Sequence, residues 1–315
     1  MQINQFPEVM SSCRFCFMCR HLSAVGQVSG RESDTPRGRA LIADRVRMHP
    51  EEIGNADFVE AIYRSDLSGA NRFHCDGYHD GKGYDELGLQ LALRRDIVDA
   101  GCAPEKVKAV AAELKASEAW KVEGKGDVLY FVDPATAARP SVEKAVKALL
   151  GKAGVTAAVV RGGCIGKALS ILGYKKEAKE AMQKFAQVIR NSKAKTVVVS
   201  NPAAYDALVN DYKAAGIKLT AKVVHTSEYI KSLKLKFAKK AGKVFYLESD
   251  YLKNYNDDYQ GPRDLLAAVK AEIVPFGTNN EESYTCGEGA VVLPKIDEKL
   301  VEKLAKYIEA RADNP

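Results

Sequence analysis

Val128-Leu-Tyr-Phe-Val132, followed at once by Asp133, is the stretch that decides the fold class. A short apolar run of this kind reads as a buried strand. Ser141–Leu150 then reads as a helix, with Val142, Ala145, Val146, Leu149 and Leu150 on one face, and Gly154 ends it. Val155–Val160 is a second strand. Lys175–Arg190 is a helix whose apolar stripe is Ala178, Met182, Phe185 and Ile189. Thr196–Ser200 is a third strand, and the helix after it closes at Gly216. Strand and helix alternate, which argues for a parallel sheet covered by helices. The order then recurs. Val244–Leu247 is a strand, Pro262–Val269 a helix opening on proline, Ile273–Phe276 a strand, and Asp297–Arg311 a last helix with Leu300, Leu304 and Ile308 in line. Residues 126–242 and 243–315 therefore read as two copies of one α/β unit.

Upstream, residues 1–125 read as mainly helical. Arg37–Met48, Tyr84–Ala100 and Pro104–Ala119 carry apolar residues at helical spacing. The expected fold is α+β: a helical N-terminal domain over 1–125, then two tandem α/β repeats with parallel sheets.

Between those helices lie the cysteines. Cys13, Cys16 and Cys19 form a C-x2-C-x2-C run. In two-cluster ferredoxins such a run continues to a fourth cysteine that ligates the other cluster. Here Ser23 takes that fourth place. Ser65, Ser68, Asn71 and Cys75 repeat the same steps, with only the last a cysteine. Crossed ligation gives the first cluster Cys13, Cys16, Cys19 and Cys75, a set that is intact. The second cluster would take positions 23, 65, 68 and 71, none of which carries sulfur. The pattern reads as a two-cluster, ferredoxin-like domain that keeps one [4Fe–4S] centre. Structural zinc is the rival for four thiolates, although a zinc ribbon more often shows two separated C-x2-C pairs. His21 and His74 lie close to the ligands in sequence, where they would tune the centre or simply pack.

With 315 residues, 46% hydrophobic and 28% charged, the composition is that of a globular protein of two or three domains. The net charge of +6 is mildly basic; the one dense basic tract, Lys231–Lys243, is mixed with Leu233, Leu235 and Phe237 and reads as a solvated face rather than a nucleic-acid surface, and an acidic flavoprotein or ferredoxin partner suits the charge equally well. Seven cysteines with three inside seven residues do not form a disulfide framework. No apolar run has the ~18 residues of a membrane span, and the N-terminus lacks the regions of a signal peptide. The expected location is the reducing cytoplasm.

A second constellation sits in the repeats. Asp133 follows a strand and Cys164 follows the next, in Gly162-Gly-Cys-Ile-Gly166; Asp250 and Cys286 recur in the second copy. Ligands of open α/β sheets gather at the carboxyl ends of strands. Three readings stand open for Asp133, Cys164, Asp250 and Cys286: a mixed metal or cluster site, acid–base and thiol groups acting on a substrate, or buried remnants of a lost site. Arg161-Gly-Gly-Cys-Ile-Gly-Lys-Ala168 is not a phosphate loop, because its glycine spacing is one short and Ala168 stands where Ser/Thr is required. Cys102 has no cysteine neighbour and reads as structural. Asn201 reads as a helix cap.

The chain resembles the iron–sulfur subunits with CCG domains. These include heterodisulfide reductase B-type subunits and the iron–sulfur subunits of anaerobic glycerol-3-phosphate, glycolate and lactate dehydrogenases. The resemblance runs through Cys13–His21, Tyr63–Cys75, Val128–Val132, Cys164-Ile-Gly166, Tyr259–Leu266 and Thr285-Cys-Gly-Glu-Gly289. It implies an electron-transfer subunit beside a flavoprotein, with an external electron acceptor or donor and no nucleic acid. It also implies cysteines that are absent here. Asp133 and Asp250 replace the cysteine after the first strand, Cys164-Ile165 and Thr285-Cys286 replace cysteine pairs, and a further family cysteine falls near Ala204. A noncubane cluster of the family's kind cannot be built from what remains. The alternative to an electron relay is a catalytic subunit binding a small acid or sugar acid at an Asp/Cys metal site between the repeats.

Overall fold

The structure is a computed structural model that describes residues 1–13, 16–75, 85–238, 240–274 and 283–313. Its N-terminal part is helical, as α1 (Pro7–Ser12), α2 (Ala24–Ser29), α3 (Pro36–Met48), α4 (Ala56–Tyr63), α5 (Glu86–Asp99) and α6 (Glu105–Ala116). Local chemistry fixes several starts. Ser23, Thr35, Asn55 and Asp85 each accept a backbone N–H of the first turn behind them, and Pro36 opens α3 directly after its cap. Tyr84, the first residue of the expected helix ahead of α5, lies outside the described residues.

The main sheet has five strands in the order β1-β3-β2-β4-β5. They are β1 (Trp120–Glu123), β2 (Val128–Val132), β3 (Ala157–Gly162), β4 (Thr196–Val199) and β5 (Lys222–His225). Strands β2 to β5 pair in parallel, and β1 runs antiparallel along the outer edge of β3. The sheet is thus mostly parallel, and it begins at Trp120, ahead of the boundary expected at 126. The reason is local: Trp120 is half-buried, the next three residues of β1 are exposed, and no apolar run marks the strand. The covering helices are α7 (Pro134–Ala137), α8 (Pro140–Lys152), α9 (Lys167–Leu172), α10 (Lys175–Ser192), α11 (Pro202–Asp206), α12 (Tyr212–Ala214) and α13 (Thr226–Ser232). A π-helical turn, Ala207–Asp211, joins α11 to α12.

Alternation along the strands explains both layers. Leu129, Phe131, Val160, Val197 and Val199 face one core with Leu169, Phe185 and Ile189. Val128, Tyr130, Val132, Val159 and Val198 face the other, against Val146, Leu150 and Ile230. The first core continues without a break into Ile62, Leu89, Leu93 and Ile97 of the helical part. Arg94 helps seal that seam: its fully buried guanidinium donates to the carbonyls of Ile62, Ser65 and Ile171 at 2.8, 3.2 and 3.1 Å. Each such bond from a charged donor contributes about 1.5–3 kcal/mol.

Beyond α13, β6 (Lys243–Phe245) pairs in parallel with β7 (Glu272–Val274), with α14 (Gln260–Ala268) between them. The last two residues of the expected strand, 275 and 276, lie outside the described residues. A second π-helical turn, Tyr251–Tyr255, follows β6. The chain closes with α15 (Leu293–Ile296) and α16 (Glu298–Asp313). Leu300 and Leu304 of α16 return to pack on Ala24 and Val25 of α2.

Candidate cluster and metal sites

Cys13 ends α1, Cys16 and Cys19 lie in the turn before α2, and Cys75 ends the short 3-10 helix Arg72–His74. The fold brings the two segments together. His21 and His74 meet edge to face with ring centroids 4.6 Å apart, and Cys19 lies within electrostatic reach of Cys75. Cys19 is buried and the other three are half-buried. Burial pushes the Cys19 thiol up to about 11, against the pull of an Arg37 backbone N–H donated to it. A bound metal would reverse that balance. Phe17 and Met18, between Cys16 and Cys19, turn outward at 65% and 44% exposure, and the Arg37 guanidinium lies 4.5 Å from the Phe17 ring centroid.

Among the described residues, no three cysteine sulfurs lie within 4.8 Å of one another. One tetrahedral zinc would draw its four sulfurs to about 3.8 Å, given Zn–S near 2.3 Å. A polynuclear centre with one iron per thiolate needs wider spacing. The four thiols, one buried and three half-buried, are donors of the kind that either group takes.

Ser23, Ser65, Ser68 and Asn71 are all at least nine-tenths buried. Ser23 caps α2 and donates to the Asp34 carbonyl at 3.1 Å. Ser65 accepts the Leu67 N–H, and Ser68 donates to Asp66 at 3.3 Å. Arg39, itself buried, pairs with Glu86 at 2.9 Å and reaches the same Asp34 carbonyl at 2.7 Å. Positions 23, 65, 68 and 71 thus lie in or beside a polar network. Its charged members, Arg39, Asp66 and Glu86, have no motif that marks them in the sequence.

In the α/β part, Asp133, Cys164 and Asn201 stand beyond the carboxyl ends of β2, β3 and β4. They line a cavity of about 480 Å³ together with Ile165, Lys167 and Ala204. Positions 133, 165 and 204, where the resemblance expects cysteine, thus converge here, and Cys164 is the one thiol among the described lining residues. Asp133 caps α7, accepting the Ala135 and Thr136 N–H groups and the Thr136 hydroxyl, and it takes the Asn201 amide at 2.6 Å. Both of its oxygens are committed. Cys164 accepts the Gly166 N–H at 3.4 Å, and burial raises its pKa. This donor set does not fit a thiolate-held cluster.

Asp250 and Cys286 do meet, with Cys286 Sγ 3.7 Å from Asp250 Oδ2. Thr285 Oγ1 and the Gly289 N–H donate to the same oxygen at 2.7 and 3.2 Å. Burial, then Asp250 and Glu288, lift the Cys286 thiol well above its usual range. The Asp133–Cys164 pair and the Asp250–Cys286 pair are not assembled: no three of the four bring ligand atoms within 4.8 Å of one another. Lys167, which the sequence presented only as the lysine of a failed phosphate loop, is buried between Asp206 and Asp211. Two cavity-facing partners, Asn201 and Lys167, were therefore missed as site residues.

An open, mostly parallel sheet with a cysteine-bearing loop at its strand ends thus stands beside a helical segment with five more cysteines. Residues 130–204 match the CCG family, a cysteine-rich domain. Among characterised relatives it is 29% identical over 155 residues to the EtfAB:quinone oxidoreductase of Syntrophomonas wolfei subsp. wolfei. The match takes in 47% of this chain and 21% of that relative, so the chain spans only about a fifth of the relative's length. No solved structure matches the chain.

Proposed function

We propose that the chain is an iron–sulfur electron-transfer subunit of a flavin-dependent oxidoreductase, holding one [4Fe–4S] cluster on Cys13, Cys16, Cys19 and Cys75. The observation that carries this is the meeting of the two cysteine segments at His21 and His74, while positions 23, 65, 68 and 71 are closed by serine and asparagine. When bound, such a centre supplies one-electron transfer. The chain's own residues provide four thiols, burial of Cys19, and an exposed rim at Phe17 and Met18 where a donor or acceptor can approach. The relative named for EtfAB and quinone supports a flavoprotein partner. The basic net charge of +6 suits an acidic one.

In this reading residues 1–125 form the ferredoxin-like part, 126–242 the first CCG-type unit and 243–315 a diverged second one. The parallel pairing of β6 with β7, like that of β2 with β3, supports the repeat. No described helix is long and apolar enough to cross a membrane, and all seven cysteines are free. A reducing cytoplasm accommodates both facts.

The test is the iron, zinc and acid-labile sulfide content of anaerobically purified protein, with spectra before and after reduction. About four irons and four sulfides per chain are expected, lost in Cys75→Ser. Zinc without sulfide would overturn the proposal.

A further inference from the structure

Arg39, 3% exposed, is buried beside the first of the substituted positions, with Nε on Glu86 Oε1 at 2.9 Å and Nη1 on the Asp34 carbonyl at 2.7 Å. Ser23, the first of the four substituted positions, donates to that same carbonyl. Asp66, between the substituted positions 65 and 68, lies within electrostatic reach of Arg39. Cys19, one of the cysteine quartet, is within electrostatic reach of both Glu86 and Arg39. The contact is also direct along the backbone: α3 carries Arg39, and its Arg37 N–H donates to Cys19 Sγ.

We propose that Arg39, oriented by Glu86, sets the reduction potential of the centre on Cys13, Cys16, Cys19 and Cys75 by supplying fixed positive charge from beside the first of the substituted positions. This rests on the iron–sulfur reading above. The physics is that of charge in a low-dielectric interior. An added electron makes the centre more negative, and a buried guanidinium that cannot lose its proton favours that state. The Glu86 carboxylate opposes it. In a two-cluster domain the neighbour is a second anionic electron carrier. Here it is an ion pair whose cationic half never changes charge, so electron storage becomes electrostatic tuning.

The two halves of the pair must then act with opposite signs, which a packing role would not produce. Full-length protein is purified anaerobically, its iron is counted, and its midpoint potential is measured by a dye-mediated titration read by absorbance and electron paramagnetic resonance. Arg39→Gln should cut the reduced-to-oxidised ratio at a fixed applied potential by about tenfold, a shift of roughly 59 mV to more negative values for one electron. Glu86→Gln should move it the other way, and Arg39→Lys should stay near the parent value. If both glutamine variants keep their iron and match the parent, the inference fails. It also fails if Arg39→Lys falls as far as Arg39→Gln, since geometry and not charge would then be at work. Should Arg39→Gln not retain iron, Glu86→Gln decides alone: a rise supports the inference and no change ends it. Parent protein without iron would instead remove the iron–sulfur reading itself.

Discussion

The Asp250 carboxyl is sealed from solvent, with Thr285 Oγ1 and the Gly289 N–H on Oδ2 and no partner for Oδ1 among the described residues. Burial pushes its pKa up to about 7. In the unfolded chain the same group titrates near 3.9. Between those values the unfolded state has released its proton and the folded state has not. Stability therefore falls as pH rises from about 4 to about 7, by an amount on the order of 4 kcal/mol, and levels off above. Asp250→Asn keeps an oxygen for Thr285 and Gly289 and removes that penalty. Urea unfolding should find the variant about 3 kcal/mol more stable than the parent at pH 8 and close to it at pH 4.5. A metal held by Asp250 would give the opposite sign at pH 8, so the comparison also separates a ligand from a buried neutral acid. Asp133 has a different fate in the parallel position. Four donors occupy its oxygens, and its role is to cap and to hold Asn201. The sequence shows both aspartates after strands, but it cannot show which donors surround them, because those donors come from residues up to 68 positions away.

At the level of elements, the loop Cys164-Ile-Gly166 depends on its glycine. Gly166 has φ +99, and an added Cβ would meet Met182 Cγ at 2.6 Å and the Ala178 carbonyl oxygen at 2.7 Å, both on α10. Gly166→Ala thus forces a left-handed conformation and a clash together. A loss of about 2–3 kcal/mol is expected in denaturant melts, with the near-ultraviolet signal of Trp120 disturbed, since Trp120 packs 5.5 Å from Phe185 on α10. Elements built on long apolar patterns were legible: β2, α8, β3, α10 and β4 stand within a few residues of their expected places. β1 and β5 were not. β5, Lys222–His225, buries only Val224 and His225, so an edge strand of four residues has no period to read. The π-helical turns at Ala207–Asp211 and Tyr251–Tyr255 were also invisible, because nothing in their composition separates them from α-helix.

Across the whole molecule, the final helix supports the first cysteine segment. Leu300 and Leu304 pack on Ala24 and Val25, immediately after Ser23, and Asp297, just ahead of α16, pairs with Arg64 at 3.3 Å. Truncating one such leucine to alanine costs about 2–5 kcal/mol. Leu300→Ala with Leu304→Ala should therefore lower the melting temperature and speed iron loss to a chelator, while leaving far-ultraviolet helicity largely intact below the transition. Unchanged iron retention would show that α16 stabilises without reaching the centre. The cysteine pattern itself is readable because its spacing is local and repeated. The ion pair of Arg39 with Glu86 is not, since the partners stand 47 residues apart and have no motif.

The proposed crossed ligation by the cysteines also concerns the connectivity of the chain. The proposed centre on Cys19 and Cys75 would close a loop of about 60 residues containing α2, α3 and α4. Removing that freedom from the unfolded ensemble is equivalent to a covalent tie of about 4 kcal/mol. Cofactor insertion would then act as the last stitch of folding, and the apo chain should breathe first in the helices that the stitch encloses.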